Sequence, residues 1–252
     1  SGTAGPSCSA AHRHMTVKPY ADEGSKREQV ERMFDSISPK YDLLNRLCSL
    51  GTDQGWRRKV IRGVGKDPEE RLLDVATGTA DLACMGAKKA KHITGAENSD
   101  GMLSVGRVKV EKAGLADRIT LVQADAADLP FPDASFDAIT VAFGVRNFED
   151  LPRGIAGMAR VLRPGGRLFV LEFSRPQRTP FKQLFRFYFH RVMPIIGRLV
   201  SKDSAAYSYL PESVDAFPQG AAFEDILRQQ GLREVRSPLL PFGVATLYTA
   251  RK

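Results

Sequence analysis

Short apolar runs alternate with amphipathic stretches along most of the chain. The central run, LLDV at residues 72–75, contains the β-branched Val75, which favours a buried strand. Helical periodicity occupies the intervals between runs, for example at residues 100–113 and 151–162. Strands that alternate with helices in this way predict a doubly wound parallel α/β sheet, with ligands at the carboxyl ends of its strands. The predicted parallel strands are residues 72–75, 92–96, 119–122, 138–143 and 167–171.

Both ends of the chain depart from this alternation. Ser25 and Glu28 form the S-x-x-E capping box that typically begins a helix, and two further helical stretches follow. Residues 18–66 are therefore expected to form a helical cap over a binding cleft, with a packing appendage as the alternative. Near the other end, residues 232–236 and 245–250 predict an antiparallel pair that closes the sheet.

One segment after the fifth strand breaks the pattern, and we expect residues 175–218 to be a helical insertion that acts as a lid. Seven Lys or Arg residues and no acid lie between Glu172 and Asp203. Lys182, Arg186 and His190 fall at i, i+4 and i+8, on one side of a predicted helix over residues 181–200. Core packing or a dimer contact are the alternatives. The apolar positions at helical spacing are Phe181, Leu184, Phe185, Tyr188 and Val192.

The composition fits one α/β domain: the chain has 252 residues, of which 42% are hydrophobic. No apolar run reaches the length of a membrane span. The first 14 residues contain no acid and little apolar content, so residues 1–17 are expected to be a disordered tail. Three scattered cysteines without a C-x-x-C pair are typical of a reducing compartment and argue against a zinc site. We expect a cytoplasmic protein that holds no metal.

The candidate chemistry begins at LLDVATGTAD, residues 72–81. Gly78 lets backbone approach a ligand closely, and Thr79 and Asp81 can cap a following helix. Asp74 places an acid at the carboxyl end of the strand, where the dinucleotide fingerprint has none. Glu97 follows Gly78 by 19 positions, close to where a nucleotide fold places the acid that meets ribose hydroxyls. The simpler alternative is an ordinary strand and loop.

LLDVATGTAD resembles motif I of the S-adenosylmethionine (SAM)-dependent methyltransferases. Further stretches follow in order and are similar to the ubiquinone/menaquinone biosynthesis C-methyltransferase family over about residues 18–251. Phe143-Gly144-Val145-Arg146-Asn147 and Tyr209-Leu210-Pro211-Glu212-Ser213 are the most diagnostic, whereas Arg163-Pro164-Gly165-Gly166 occurs in many methyltransferases.

This resemblance implies a class I SAM-dependent methyltransferase domain (Rossmann-like) at residues 67–252. It implies that SAM is the cofactor and that a ring carbon of a prenylated quinol is methylated. The acceptor would be demethylmenaquinol, or alternatively 2-methoxy-6-polyprenyl-1,4-benzoquinol. The cofactor residues carried over are Asp74, Gly78 and Thr79 for the methionine moiety, Glu97 for the ribose, and Asp125 and Ala126 for the adenine.

Carbon methylation needs an electron-rich ring, so a group that stabilises the developing oxyanion should lower the barrier. Arg146 and Asn147, just past the fourth strand, are the candidate catalytic residues. Arginine stays protonated, so we expect Arg146 to stabilise the oxyanion while water carries the proton away. A structural salt bridge is the alternative for Arg146.

The sequence departs from the family pattern at Ala80, at Glu97 and over residues 83–92, which are about two residues short. The family usually has glycine at Ala80 and aspartate at Glu97, so SAM binding could be weaker. A SAM-binding scaffold of a quinone-synthesis complex and a methyltransferase for another small molecule or RNA are the rival functions. The net charge of +8 is expected to favour binding to an anionic membrane surface rather than to nucleic acid. The protein would then be peripheral on the inner face of the membrane. A homodimer is compatible with the sequence.

Overall fold

A computed structural model describes residues 17–49, 51–64, 70–193, 195 and 205–252. Its seven strands form one sheet in the order β3-β2-β1-β4-β5-β7-β6. The first five strands are parallel, β7 is antiparallel to β5, and β6 is antiparallel to β7. This confirms the five parallel strands and the closing antiparallel pair. The strands are β1 Arg71–Val75, β2 His92–Glu97, β3 Ile119–Gln123, β4 Phe136–Ala142, β5 Leu162–Phe173, β6 Arg233–Arg236 and β7 Ala245–Arg251.

Helices cover both faces of this sheet and the carboxyl ends of its strands. The predicted capping box is confirmed, because Ser25 Oγ accepts from the Glu28 N–H and Glu28 Oε2 accepts from the Ser25 N–H. A single 3₁₀ turn, Ser38–Lys40, joins the first two helices. The α-helices are α1 Lys26–Ile37, α2 Tyr41–Cys48, α3 Thr52–Gly63, α4 Asp81–Gly86, α5 Asp100–Lys112, α6 Leu151–Val161, α7 Phe181–Phe187, α8 Ala205–Ala216 and α9 Ala221–Gln229.

Three apolar clusters hold these layers together. On one face of the sheet, side chains of α6 and α9 such as Ile155 and Phe223 pack on β4 and β5. On the other face, side chains of α3 to α5 such as Val60 pack on β1 and β2. The third cluster joins α1 and α2 to Met102 of α5 and Tyr209 of α8. The N-terminal helices and the insertion therefore meet above the strand ends, where parallel sheets bind ligands.

The insertion after β5 differs from the single regular helix predicted for residues 181–200. The turns of α7 pass into a π-helix at Tyr188–Val192, and residues 194 and 196–204 lie outside the described part of the chain. Phe189 and Met193 are buried, whereas Leu184 is 63% exposed. A π turn takes an extra residue, which rotates the inward face of the helix. Leu184 of the predicted apolar stripe therefore lies at the surface, and the side chain of His190 lies outside the described residues.

Candidate active site

Two adjoining cavities of about 730 and 740 Å³ lie at the carboxyl ends of the parallel strands. The first cavity follows the loops after β1, β2 and β3, and the second lies between the helical cap, the loop after β4 and α8. Phe34, Tyr41, Phe143 and Asn147 line both cavities, so molecules held in the two would meet at these residues.

Asp74 organises the turn that leads from β1 into the first cavity. Its carboxylate accepts hydrogen bonds from Thr77 Oγ1 at 2.6 Å and from Thr140 Oγ1 of β4 at 2.7 Å. The residue is 1% exposed and does not line either cavity. Burial raises the pKa of Asp74 to about 6, although both hydroxyl donors act in the opposite direction. The structure thus places this carboxylate behind the turn, where it stabilises the backbone conformation.

Gly78 and Thr79 occupy different sides of that turn. Gly78 lines the first cavity with φ of +58°, a left-handed conformation that favours glycine. Thr79 is buried, donates its hydroxyl to Asp42 of α2 at 2.6 Å and accepts from Lys109 of α5 at 2.9 Å. The predicted helix cap by Thr79 and Asp81 is wrong, because the N-cap of α4 is Ala80 without a side-chain hydrogen bond. Thr79 instead links the turn to two neighbouring helices.

Ala80, where the family usually has glycine, lies away from both cavities and is fully buried. Its φ of +64° is left-handed, which is unusual for a residue with a Cβ. The Ala80 methyl faces Gly106 of α5 closely: a side-chain carbon at position 106 would lie only 3.4 Å from it. The methyl group therefore packs against α5, and its contacts give no steric reason for weaker ligand binding.

Glu97 ends β2 and lines the first cavity. One carboxylate oxygen accepts from the Gly78 N–H at 3.0 Å, and the other accepts from the Asn98 and Ser99 N–H groups at 2.8 and 3.0 Å. Burial raises the pKa of Glu97, with the three backbone donors acting against it. This carboxylate connects the end of β2 with the glycine turn after β1.

The far end of the first cavity is formed after β3. Asp125 accepts from the Ala127 N–H at 2.8 Å and pairs with Arg27 Nε of α1 at 3.3 Å. Ala126 and Met102 are buried and supply an apolar wall beside it. The role of Arg27 was not predicted, since a surface arginine in a helix carries no sequence signal for this contact.

Arg146 and Asn147 line the second cavity, just past β4. The Arg146 guanidinium donates from NH1 to Glu172 Oε1 at 2.9 Å and to the Phe143 carbonyl. Glu172 is fully buried, and burial raises its pKa while Arg146 opposes the shift. Arg146 Nε and Asn147 Oδ1 are buried without a hydrogen-bond partner among the described residues. Arg146 thus has both a salt bridge and a free donor.

Lys26 is a further residue that sequence reasoning missed. Its ammonium donates to the carbonyls of Arg146 and Phe148 at 3.0 and 2.9 Å, so the first turn of α1 holds the loop after β4. Its backbone N–H also donates to Glu149 at 3.0 Å. Burial lowers the pKa of Lys26 to about 8, and the nearby Arg146 acts in the same direction. Lys26 and Arg146 are 120 positions apart in the chain, so only folding brings these groups together.

The donors and acceptors of the first cavity fit a nucleoside with a charged tail. Glu97 can accept from ribose hydroxyls, Asp125 can accept from an exocyclic amine, and Ala126 with Met102 offers an apolar surface. The second cavity has mostly apolar and aromatic walls with few polar groups, as an aromatic acceptor requires.

This sheet order is that of the class I SAM-dependent methyltransferase fold. A SAM-dependent methyltransferase from Aquifex aeolicus superimposes with a TM-score of 0.57 at 18% identity, covering 77% of this chain and 88% of that one. The [4+2]-cyclase SpnF shares the fold with a TM-score of 0.56 at 21% identity, covering 91% and 97%. The fold alone therefore leaves the reaction open.

The chain belongs to the ubiE/COQ5 methyltransferase family, whose model matches residues 22–252. It is 48% identical over 238 residues to a demethylmenaquinone methyltransferase of Bacteroides fragilis, covering 94% of this chain and 97% of the relative. It is 45% identical over 230 residues to a ubiquinone/menaquinone biosynthesis C-methyltransferase UbiE of Geotalea daltonii, covering 90% and 97%. The predicted family, fold class, SAM cofactor and enzyme class are confirmed.

Proposed function

We propose that this chain methylates a ring carbon of a prenylated quinol, with demethylmenaquinol as the preferred acceptor. The names of its relatives support the acceptor class. The observation that carries the proposal is Arg146, which is held by Glu172 and keeps a buried, unpartnered Nε in the wall of the second cavity. A donor that is fixed before the acceptor arrives is suited to stabilise charge that develops on a ring oxygen.

The first cavity holds SAM. Glu97 meets the ribose and Asp125 with Ala126 meets the adenine, while the Gly78 backbone borders the methionine moiety. Asp74 and Thr79 do not contact SAM directly, because Asp74 is hydrogen-bonded to Thr77 and Thr79 is hydrogen-bonded to Asp42. Their role is to keep the turn after β1 in the conformation that places Gly78 at the ligand.

The second cavity holds the quinol ring so that its reacting carbon faces the first cavity past Tyr41, Phe143 and Asn147. SAM supplies a sulfonium methyl group, whose bond to sulfur breaks as the bond to the ring carbon forms. Arg146 Nε donates to the oxygen next to that carbon, and Asn147 Oδ1 accepts from the same hydroxyl while it still holds its proton. The hydroxyl proton passes to water as the oxyanion forms. After methyl transfer the ring carbon gives its proton to water and the ring oxygen takes one back, which leaves the neutral quinol. Most of the catalytic effect is alignment and oxyanion stabilisation.

The prenyl tail brings the protein to a membrane surface. No helix of the described ranges is long and apolar enough to cross a bilayer. Large apolar side chains are nevertheless exposed on α2 and the insertion, and the Tyr188 hydroxyl joins the two by donating to the Leu47 carbonyl at 3.0 Å. Lys182 and Arg186 are exposed on α7 beside them. Apolar contact combined with basic residues is typical of peripheral binding to anionic lipid.

An assay of Arg146 variants tests the catalytic assignment. With demethylmenaquinol and SAM, we expect Arg146→Ala to lower turnover about 100- to 1000-fold, because one oxyanion donor is lost. Arg146→Lys should not restore it, since lysine cannot reproduce the planar contact with Glu172 while donating to the ring. SAM affinity, measured by calorimetry, should stay within about twofold of the wild type in both variants.

Arg153→Ala, an exposed change on α6, is the matched control and should keep full turnover. Near-normal turnover of Arg146→Ala would exclude the assigned role. Running the wild type on demethylmenaquinol and on 2-methoxy-6-polyprenyl-1,4-benzoquinol side by side identifies the acceptor, and a lack of methylation of either would contradict the proposed function.

A further inference from the structure

In the described ranges, every buried side-chain polar atom that lacks a hydrogen-bond partner belongs to a residue that lines the second cavity. There are four such atoms: Arg57 Nε, Arg146 Nε, Asn147 Oδ1 and the Tyr209 hydroxyl. An unpaired buried polar atom is costly, and native proteins contain few of them. Four in a single cavity indicate a ligand whose own polar atoms meet them. The reaction accounts for Arg146 and Asn147, which leaves Arg57 and Tyr209 without a role.

Arg57 comes from the helical cap, on a different element from Arg146. The two guanidinium groups lie over different members of one aromatic pair: Arg57 Cζ is 5.5 Å from the Phe143 ring centre, and Arg146 Cζ is 5.5 Å from that of Phe173. The centres of the Phe143 and Phe173 rings are themselves 4.5 Å apart. The cavity wall therefore has two separate cationic points joined by aromatic surface.

Each guanidinium has its own buried carboxylate. Arg57 Nε is 3.5 Å from Asp53 Oδ2, within ion-pair distance, yet the geometry makes no hydrogen bond. Asp53 instead accepts from Ser49 Oγ at 2.7 Å and from Gln54 Nε2 at 3.1 Å. Asp53 thus balances the charge of Arg57 without using its Nε–H. Both Arg57 and Asp53 are more than nine-tenths buried, so bulk water does not satisfy this donor.

We propose that Arg57 binds the second oxygen of the quinol ring, the one para to the oxygen held by Arg146. This inference rests on the proposed function. A 1,4-dihydroxy ring carries an oxygen at each end, and a cavity with a free donor on two separate elements matches that pattern. The Tyr209 hydroxyl, on a residue that is 3% exposed and also unpaired, completes the polar contacts of the ring. Arg57 is then a residue that selects a dihydroxy ring over a ring with one hydroxyl.

The test pairs a change in the protein with a change in the acceptor. The acceptors are a short-chain demethylmenaquinol and its analogue that keeps the hydroxyl next to the reacting carbon but lacks the one para to it. We expect the wild type to lose about 10- to 100-fold in kcat/KM on the analogue, because the charged donor stays unpaired. Arg57→Gln should lose a similar factor on demethylmenaquinol and almost nothing further on the analogue.

The controls separate this inference from a folding defect and from the proposed function. Arg58→Gln, an exposed neighbour on the same helix, should behave as the wild type with both acceptors, and calorimetry with SAM shows that each variant is folded. The role of Arg57 is refuted, while the methyltransferase function stands, in two cases. One is that the wild type methylates both acceptors equally well. The other is that kcat/KM of Arg57→Gln falls on the analogue by the same factor as that of the wild type. If the wild type methylates neither acceptor, the proposed function itself fails. If Arg57→Gln does not fold, equal wild-type rates on the two acceptors still refute the role of Arg57, and the same comparison with Arg57→Lys replaces the Arg57→Gln arm.

Discussion

At the scale of the residue, the environment of an acid decides its role more than its position in a motif does. Asp74 and Glu97 both stand at the end of a strand and both were predicted to touch SAM. Glu97 lines the first cavity, whereas Asp74 is turned away from it towards the Thr77 and Thr140 hydroxyls. Both carboxylates have raised pKa values because they are buried. Glu97 therefore borders the cavity itself, whereas Asp74 stabilises the turn after β1 from behind.

The raised pKa of Asp74 gives a prediction about stability and pH. A carboxyl whose pKa is about 6 in the folded protein and 3.8 when unfolded stabilises the fold fully only below the unfolded value. That stabilisation is lost as pH rises through 6. Relative to Asp74→Asn, which stays neutral, the unfolding free energy of the wild type should fall by roughly 2 kcal/mol between pH 4 and pH 7. Urea unfolding of both proteins across this range measures the difference.

Asp117→Asn serves as the control, because Asp117 is exposed and its substitution should leave the pH dependence as in the wild type. A difference between wild type and Asp74→Asn that stays constant with pH would show that the buried carboxyl titrates normally.

At the scale of the element, α1 holds the loop after β4 as well as lining the first cavity. Arg27 in its first turn reaches Asp125, and the neighbouring Lys26 reaches the carbonyls on either side of Asn147. One helix end thus contacts both the Asp125 end of the first cavity and the loop after β4. The capping box at Ser25 sets where this turn begins, so a local sequence signal positions two long-range contacts.

Lys26→Met should uncouple the cap from the catalytic loop. The variant keeps the length of the side chain but leaves the carbonyls of Arg146 and Phe148 without their donor, which costs about 1–3 kcal/mol of stability. We expect the free energy of unfolding to fall by about that amount and turnover to fall about tenfold, with SAM affinity little changed. Chemical denaturation, steady-state kinetics and calorimetry measure the three quantities.

Lys59→Met, an exposed change on α3, is the matched control and should resemble the wild type in all three measurements. If Lys26→Met shows normal turnover when SAM and the quinol are both saturating, the loop after β4 holds its conformation without α1.

At the scale of the whole molecule, exposed apolar side chains gather where the cap meets the insertion. Leu43 of α2, Leu184 and Phe187 of α7, and Phe242 are each more than half exposed. The Phe181 and Phe242 rings touch, with centres 4.9 Å apart, so this surface extends from α7 to the loop before β7. Apolar residues exposed together mark an interaction surface. Its position beside the second cavity suits entry of a prenyl tail from lipid.

Vesicle flotation tests this surface. We expect binding to anionic vesicles that weakens as salt increases, since the basic residues add roughly 1 kcal/mol each near such a leaflet. A Lys182→Glu, Arg186→Glu double variant should bind several-fold more weakly. A Lys88→Glu, Lys89→Glu double variant makes the same change in net charge at exposed sites after α4 and should bind as the wild type does.

Equal binding by the wild type and the Lys182→Glu, Arg186→Glu variant, or no binding at all, would assign the exposed surface to another contact. A dimer contact is one such case, and sedimentation of the same protein samples would detect it.

The sequence by itself determined the strands, the family and most of the candidate residues. Parallel strands are buried on both faces, so the apolar runs of these five strands stand out from the amphipathic helices between them. The closing antiparallel pair was predicted as well. The capping box at Ser25 and the glycine turn at Gly78 are equally local, since each depends on residues a few positions apart. Gly78, Glu97, Asp125, Ala126, Arg146 and Asn147 do line the two cavities.

Only the tertiary structure decided which way side chains face and which distant groups meet. Thr140 is 66 positions from Asp74, and its hydroxyl on the adjacent strand helps to turn that carboxylate away from the ligand. Arg57 carries no motif that marks it as a binding residue, and its role emerges because α3 places it in the same cavity as Arg146. Hydrophobic periodicity specifies elements because burial acts on each residue separately. Hydrogen bonds specify the site through pairs, and a pair exists only once the chain has folded.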